Sequence, residues 1–411
     1  MRRTLLLPVL LAFFLLPPAV STEAGAVPPA GGAERGSAAG GNNAFACDLY
    51  ARLSGGEGNL FFSPYSVSTA LGMTYAGARG ETARQMAKVL HFDLPPERLH
   101  PSLSGLMEML NAEGKSYSLS AANALWGQAG YRWRKEFLDV TGKYYGAGLR
   151  EVDFIDAGRR EEARRTINRW TEEKTGNRIR DLIQPDVLDS LTRLVLTNAI
   201  YFKGQWKFKF RPENTASRPF HVAPGKTVDV PLMRRTGSFR YSGNDRMQVV
   251  ELPYAGDDLA MVVLLPRPGH GLGGPETALT PENLRKWLAS LSDREVDVFL
   301  PRFRMEKQSD LGRELAALGM PDAFDDKRAD FSGMTADDRL SISKVIHKAF
   351  VEVNEEGTEA AAATAVVVGV KSFRPEPPAV FRADRPFLFL IRDLRSGAVL
   401  FAGRLVDPGR M

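Results

Sequence analysis

Apolar residues change their spacing along this chain. In the first half Val67, Ala70, Leu71, Thr74 and Tyr75 recur at intervals of three and four, which puts one face of a helix in a core. Ser63-Pro64 ahead of them supplies a capping hydroxyl and a proline for the first helical position. The same period returns in Met86, Val89 and Leu90 of a helix from Gly80, and in Leu311, Leu315 and Leu318 before Gly319. Ile167 and Trp170 mark another helix over 159–175, which Gly176 ends. Residues 59–62 and 122–126 read as strands, and 194–202 is a near-continuous apolar run, as expected of a central strand. Further on, 248–253 and 259–265 flank Tyr254-Ala255-Gly256-Asp257-Asp258, a hairpin signal, and 295–303 is another strand. An apolar hairpin, 386–393 with 398–406, closes the chain. Helices predominate early and strands late, without an internal repeat, so the pattern predicts an α+β fold.

Composition adds limits. The 411 residues are 44% hydrophobic and 25% charged, which is globular and ample for a large core. A formal charge of +5, with Lys and Arg spread among acids, lacks the dense basic face of a nucleic-acid protein. Residues 1–21 read as a secretory signal: Arg2 and Arg3, an apolar run from Leu5 to Leu16, then Ala19-Val20-Ser21. Ala24-Gly25-Ala26 is a second possible cleavage site. The Ala-, Gly- and Pro-rich 22–41 is expected to be a disordered lead-in, and 42–411 a single domain. Cys47 stands alone in an apolar helical context, which points to a packed thiol and rules out internal disulfides.

The most informative stretch is 354–372. It begins acidic, which places its start in water, continues through small uncharged residues, and reaches Lys371-Ser372, a bond that a trypsin-like protease would accept. Composition alone leaves an ordinary helix or a buried strand open. Yet Glu355-Glu356-Gly357-Thr358-Glu359-Ala360-Ala361-Ala362-Ala363-Thr364 resembles the hinge of the reactive-centre loop of serpins. So do Asn59 to Ala78, Phe202-Lys203-Gly204-Gln205-Trp206, Ala329 to Met334 and Ser343 to Ala349, in order, and the resemblance covers roughly 43–408.

The resemblance implies a serpin fold: a large mixed β-sheet, further sheets, about eight or nine helices, and an exposed reactive-centre loop near the C-terminus. It implies that Ser63, Ser66, Asn198 and His347 hold closed the line where the central strands part, and that Trp206 covers the place where the loop enters. Bottom-up, Ser63 and Ser66 are equally simple helix caps, Trp206 plain core packing and His347 a satisfied core histidine. Lys371-Ser372 would be the bait bond of a secreted suicide inhibitor, extracellular or periplasmic in a bacterium. Its partner would be a trypsin-like serine protease held as a covalent acyl-enzyme, and the chain itself a monomer. Arg374 is a second basic candidate, although Pro375 after it opposes cleavage. No cofactor, metal, nucleic acid or, in the mature form, membrane is expected. None of the histidines, at 91, 100, 221, 270 and 347, lies in metal spacing, and Gly-x-Ser-x-Gly is missing from the sequence. The alternatives are a non-inhibitory serpin acting as a chaperone or ligand carrier, an inhibitor of another protease class through a shifted scissile bond, and a secreted hydrolase.

Overall fold

The computed structural model describes residues 32–112, 115–146, 148–337, 340–358 and 377–409; the 1–21 leader lies outside them. The first half carries α1 (Gly32–Leu53), β1 (Leu60–Phe62), α2 (Pro64–Tyr75), α3 (Gly80–Leu90), α4 (Pro96–Asn111), β2 (Tyr117–Gln128), α5 (Lys135–Tyr145), β3 (Arg150–Val152), α6 (Ala157–Lys174) and β4 (Leu194–Gln205). The second half is mostly sheet: β5 (Ala216–Ala223), β6 (Lys226–Gly243), β7 (Met247–Pro253), β8 (Leu259–Pro266), α7 (Gly273–Thr277), α8 (Pro281–Ala289), β9 (Ser292–Pro301), β10 (Phe303–Asp310), α9 (Gly312–Leu318), β11 (Lys344–Val353), β12 (Gly357–Thr358), β13 (Ala379–Arg382), β14 (Phe387–Asp393) and β15 (Val399–Leu405). The α+β expectation holds.

Two sheets organise these elements. One runs β1-β15-β14-β8-β7-β6-β9-β13, with β5 added to β6. The other runs β10-β11-β12-β4-β2-β3, with β11 and β4 also paired directly. This second sheet is mixed: β4 is antiparallel to β2 but parallel to β11. The apolar run 194–202 lies at its centre. Alternation sends Val195, Ala199 and Tyr201 to one face, where they meet Ala163 and Ile167 of α6 and Ile179, Leu182 and Ile183 beyond it. The opposite face carries Leu194 and Leu196 on the side of α2, and Ile200 and Phe202 against the other sheet. A strand covered on both sides is apolar throughout.

Ordered structure begins earlier than expected. Residues 32–41, read from composition as part of a disordered lead-in, form the first turns of α1. Small side chains there allow close packing. Ala38 and Ala39 are buried, and a Cβ on Gly41 would overlap the His91 carbonyl at the end of α3. Glu34 also pairs with Arg98 of α4 at 2.7 Å. Helix α4 had no counterpart in the sequence reading; its Pro96 occupies the first turn, where a missing N–H costs nothing.

A pair of substitutions tests this start. Gly41→Ala should lower stability by about 1–3 kcal/mol, since its methyl meets fixed backbone. Gly40→Ala, with open space around it, should raise stability by up to ~1 kcal/mol. Chemical denaturation of both variants reads the difference, and no effect from either would return 32–41 to the lead-in.

Candidate functional site

Strands β4 and β11 meet along a parallel seam from Val195–Lys344 to Tyr201–Phe350. On the face turned to α2, three polar residues stand in register across three strands: Asn123 of β2, Asn198 of β4 and His347 of β11. Asn198 Nδ2 donates to Asn123 Oδ1 and to Ser66 Oγ, both at 2.6 Å, and its Oδ1 bonds His347 Nδ1 across the seam. His347 Nε2 accepts the Ser63 N–H at 3.1 Å. That pattern requires a neutral imidazole with its proton on Nδ1. Ser63 also caps α2, accepting the Ser66 N–H at 3.1 Å, while its hydroxyl donates to the Leu400 carbonyl at 2.6 Å. Capping and bridging therefore coexist in one side chain. Ser63, Ser66 and Asn198 are fully buried, and burial pushes the His347 imidazole down to about 3 against a smaller opposing pull from Asn198.

At its top the seam is already parted. Strand β12 lies between the two, antiparallel to both: Thr358 pairs with Val353 of β11 and with Gly204 of β4, and Gly357 pairs with Gln205. Thr358 is fully buried and shares a hydrogen bond of 2.8 Å with Tyr254. Trp206 stacks on Tyr254 with ring centres 4.6 Å apart, and its indole N–H donates to the Asn354 carbonyl at 2.9 Å. Gly357 has φ +151, and a Cβ there would lie 2.6 Å from Gln205 Cα and 2.9 Å from Trp206 N. Only glycine passes so close to the β4 backbone.

The acidic start of this stretch is not in water. Glu355 is 5% exposed, its carboxylate bonded by Arg302 Nε at 2.7 Å and the Thr215 hydroxyl at 2.5 Å. Burial alone would raise the Glu355 carboxyl, but these donors hold it below its ordinary value. Glu356 pairs with Lys209 at 2.6 Å. A guanidinium supplied from the junction of β9 and β10, far away in sequence, is what overturned the reading of an exposed acid.

The structure thus brings Ser63, Ser66, Asn198 and His347 into one cluster, and Trp206, Glu355, Glu356, Gly357 and Thr358 into another. Glu359, Ala360, Ala361, Ala362, Ala363, Thr364, Lys371 and Ser372 lie outside the described residues. Sequence reasoning missed Asn123, Tyr254, Thr215 and Arg302. For Asn123 a signal existed, a lone amide among the small residues of a strand; Tyr254 was absorbed into a hairpin turn. Among the described residues, no group of His, Cys, Asp and Glu could hold a metal ion, and no helix is long and apolar enough to cross a membrane.

Comparisons with known proteins agree on one lineage. The profile of the family described as Serpin (serine protease inhibitor) matches residues 40–408. Human leukocyte elastase inhibitor is 43% identical over 377 residues, covering 89% of this chain and 98% of the relative. Among solved structures, uncleaved ovalbumin superposes with a TM-score of 0.82 at 33% identity, covering 90% of this chain and 100% of the other. Human thyroxine-binding globulin complexed with thyroxine gives 0.83 at 30% identity, covering 91% and 99%.

The depressed His347 value has a consequence with a definite sign. Below about 6.5, its ordinary value, the unfolded chain binds a proton that the buried imidazole refuses, so stability falls as pH falls. Between pH 6.5 and 5 the loss from this group should be about 2 kcal/mol. His100, also held low by burial, contributes in the same direction, so the comparison is with His347→Gln. Denaturation across that window should show a shallower pH dependence in the variant; equal slopes would mean that His347 carries no such linkage.

Proposed function

The chain belongs to the serpin family, and from that premise we propose that it is a suicide inhibitor of trypsin-like serine proteases. The observation that carries the reading is β12: the first hinge residues lie as a strand between β4 and β11, aligned to continue downward. Thr358 faces inward, so alternation puts Ala360, Ala362 and Thr364 on the same side of a growing strand, and none is large or charged. Lys371 would fill a specificity pocket with an acid at its base. An elastase pocket is small and would reject it, so the likeness to leukocyte elastase inhibitor does not fix the target.

The protease serine attacks the Lys371 carbonyl carbon, the Lys371–Ser372 bond breaks, and the Ser372 amine leaves with a proton. The loop, now free at one end, adds to the sheet. For it to do so, the Asn198–His347 bond and the parallel ladder on either side of it must separate, which makes Ser63, Ser66, Asn198 and His347 the control of opening. Trp206 and Glu355 hold the top in its half-open state. Inserting about 14 residues at ~3.3 Å each carries the acyl bond some 45 Å and drags the protease along. Its catalytic geometry, which tolerates about an ångström of error, is lost. A dozen or more new backbone hydrogen bonds at ~1 kcal/mol each drive the step. The leader at 1–21 directs the protein outside the cytoplasm, where it acts as a monomer.

A non-inhibitory carrier is the second reading, supported by the structural likeness to thyroxine-binding globulin. One experiment separates the two. Incubation with trypsin should give an adduct that survives hot detergent, with a released C-terminal fragment that begins at Ser372. Lys371→Glu should abolish the adduct without unfolding the protein, and Thr358→Arg should turn inhibitor into substrate. A cut chain with no adduct would favour the carrier, and a fragment beginning at Pro375 would move the bait to Arg374.

A further inference from the structure

A cavity of about 490 Å³ opens on the side of the molecule formed by the β6–β7 turn, the segment ahead of α7, and α8. Its walls are mainly apolar, built by Met247, Pro275, Ala278 and Trp287. Arg246 and His270 also line it. Both are exposed, and neither makes an ion pair among the described residues. Arg267, which donates from Nε to the Asn244 carbonyl at 3.0 Å, adds a second guanidinium nearby, without an ion pair among the described residues. Asp245 is the acid closest in sequence and does not line the space.

The walls are fixed in place. Asn244 Oδ1 accepts the N–H groups of Arg246 and Met247, each at 2.9 Å, which shapes the turn. Backbone bonds from Arg267 to Arg246 at 2.8 Å and from His270 to Arg267 at 2.9 Å tie the second wall to the first. Asn283 of α8 donates to the Ala278 carbonyl at 2.9 Å and so joins α7 to the helix that presents Trp287. A formed cavity of this size is in the range of small-molecule sites, about 300–1,000 Å³, which combine apolar walls with a few polar groups.

We infer that this cavity binds an amphipathic organic anion, its hydrocarbon or aromatic body against Met247, Pro275 and Trp287 and its acid group at Arg246 and His270. Charge selects the head and the apolar wall selects the body. The site does not touch the β4–β11 seam, so the inference stands whether or not the chain captures proteases.

Decanoate serves as the probe, titrated into the full chain and followed by calorimetry and by tryptophan fluorescence, with Trp287 as the reporter. Saturable one-to-one binding with a dissociation constant below about 1 mM is expected. Arg246→Ala should weaken it at least tenfold, Arg246→Lys should restore most of the loss, and Ala278→Leu should weaken it by filling the cavity. Decanol should bind at least tenfold less well than decanoate. Melting curves matching the parent establish that each variant is folded. No saturable binding, equal binding of decanol, or variants indistinguishable from the parent would overturn the proposal.

Discussion

A side-chain hydrogen bond between Asn198 and His347 crosses the parallel ladder of the two strands that must stay together in this fold and part in its proposed function. Around it the structure is arranged to make that contact buried, neutral and shared. Asn123 and Ser66 satisfy the Asn198 amide, and the Ser63 N–H satisfies the far side of the imidazole. Each such bond contributes only about 1 kcal/mol net, but a buried polar group left without its partner costs about 1–3 kcal/mol. The seam is therefore held mainly by what opening would leave unsatisfied. That suits a barrier more than a bond: high enough to keep the ladder shut, and lost once another strand supplies new partners.

The top of the same seam has the opposite character. Thr358 and Gly357 already occupy it, held by Tyr254, Trp206 and the Glu355–Arg302 pair. The lower seam, in the proposed mechanism, resists a new strand and the upper one guides it, and Gly357 is the point at which the chain can run against β4 without a side chain in the way. In the proposed mechanism the speed of insertion is set where these two regions meet, near Tyr201 and Phe350.

Much of this was legible in the sequence, and the reasons are local. Helix α2 declared itself through Ser63-Pro64 and the spacing of Val67, Ala70 and Leu71, and β4 through nine apolar or small positions in succession. The hinge was visible as a motif. What was hidden came from long-range partners. Glu355 looked solvated because nothing nearby in sequence shows Arg302 and Thr215, and Tyr254 looked like a turn because its role depends on Thr358, more than a hundred residues away. The first turns of α1 were taken for a lead-in because Gly, Ala and Pro were read by their average behaviour, and α4 drew no reading. In this fold Gly41 serves a close approach to His91, and Pro96 a first turn.

Behind every one of these arrangements is the claim that the uncut chain is not at its most stable arrangement. Heat denaturation before and after a single cut between Lys371 and Ser372 addresses that claim directly. If the loop is poised to join the sheet, the cut chain should melt higher by more than ~10 °C, as several kcal/mol of added ladder and burial require. An unchanged or lowered melting temperature would show that severing the loop releases nothing, and the account of an insertion-driven trap would be wrong.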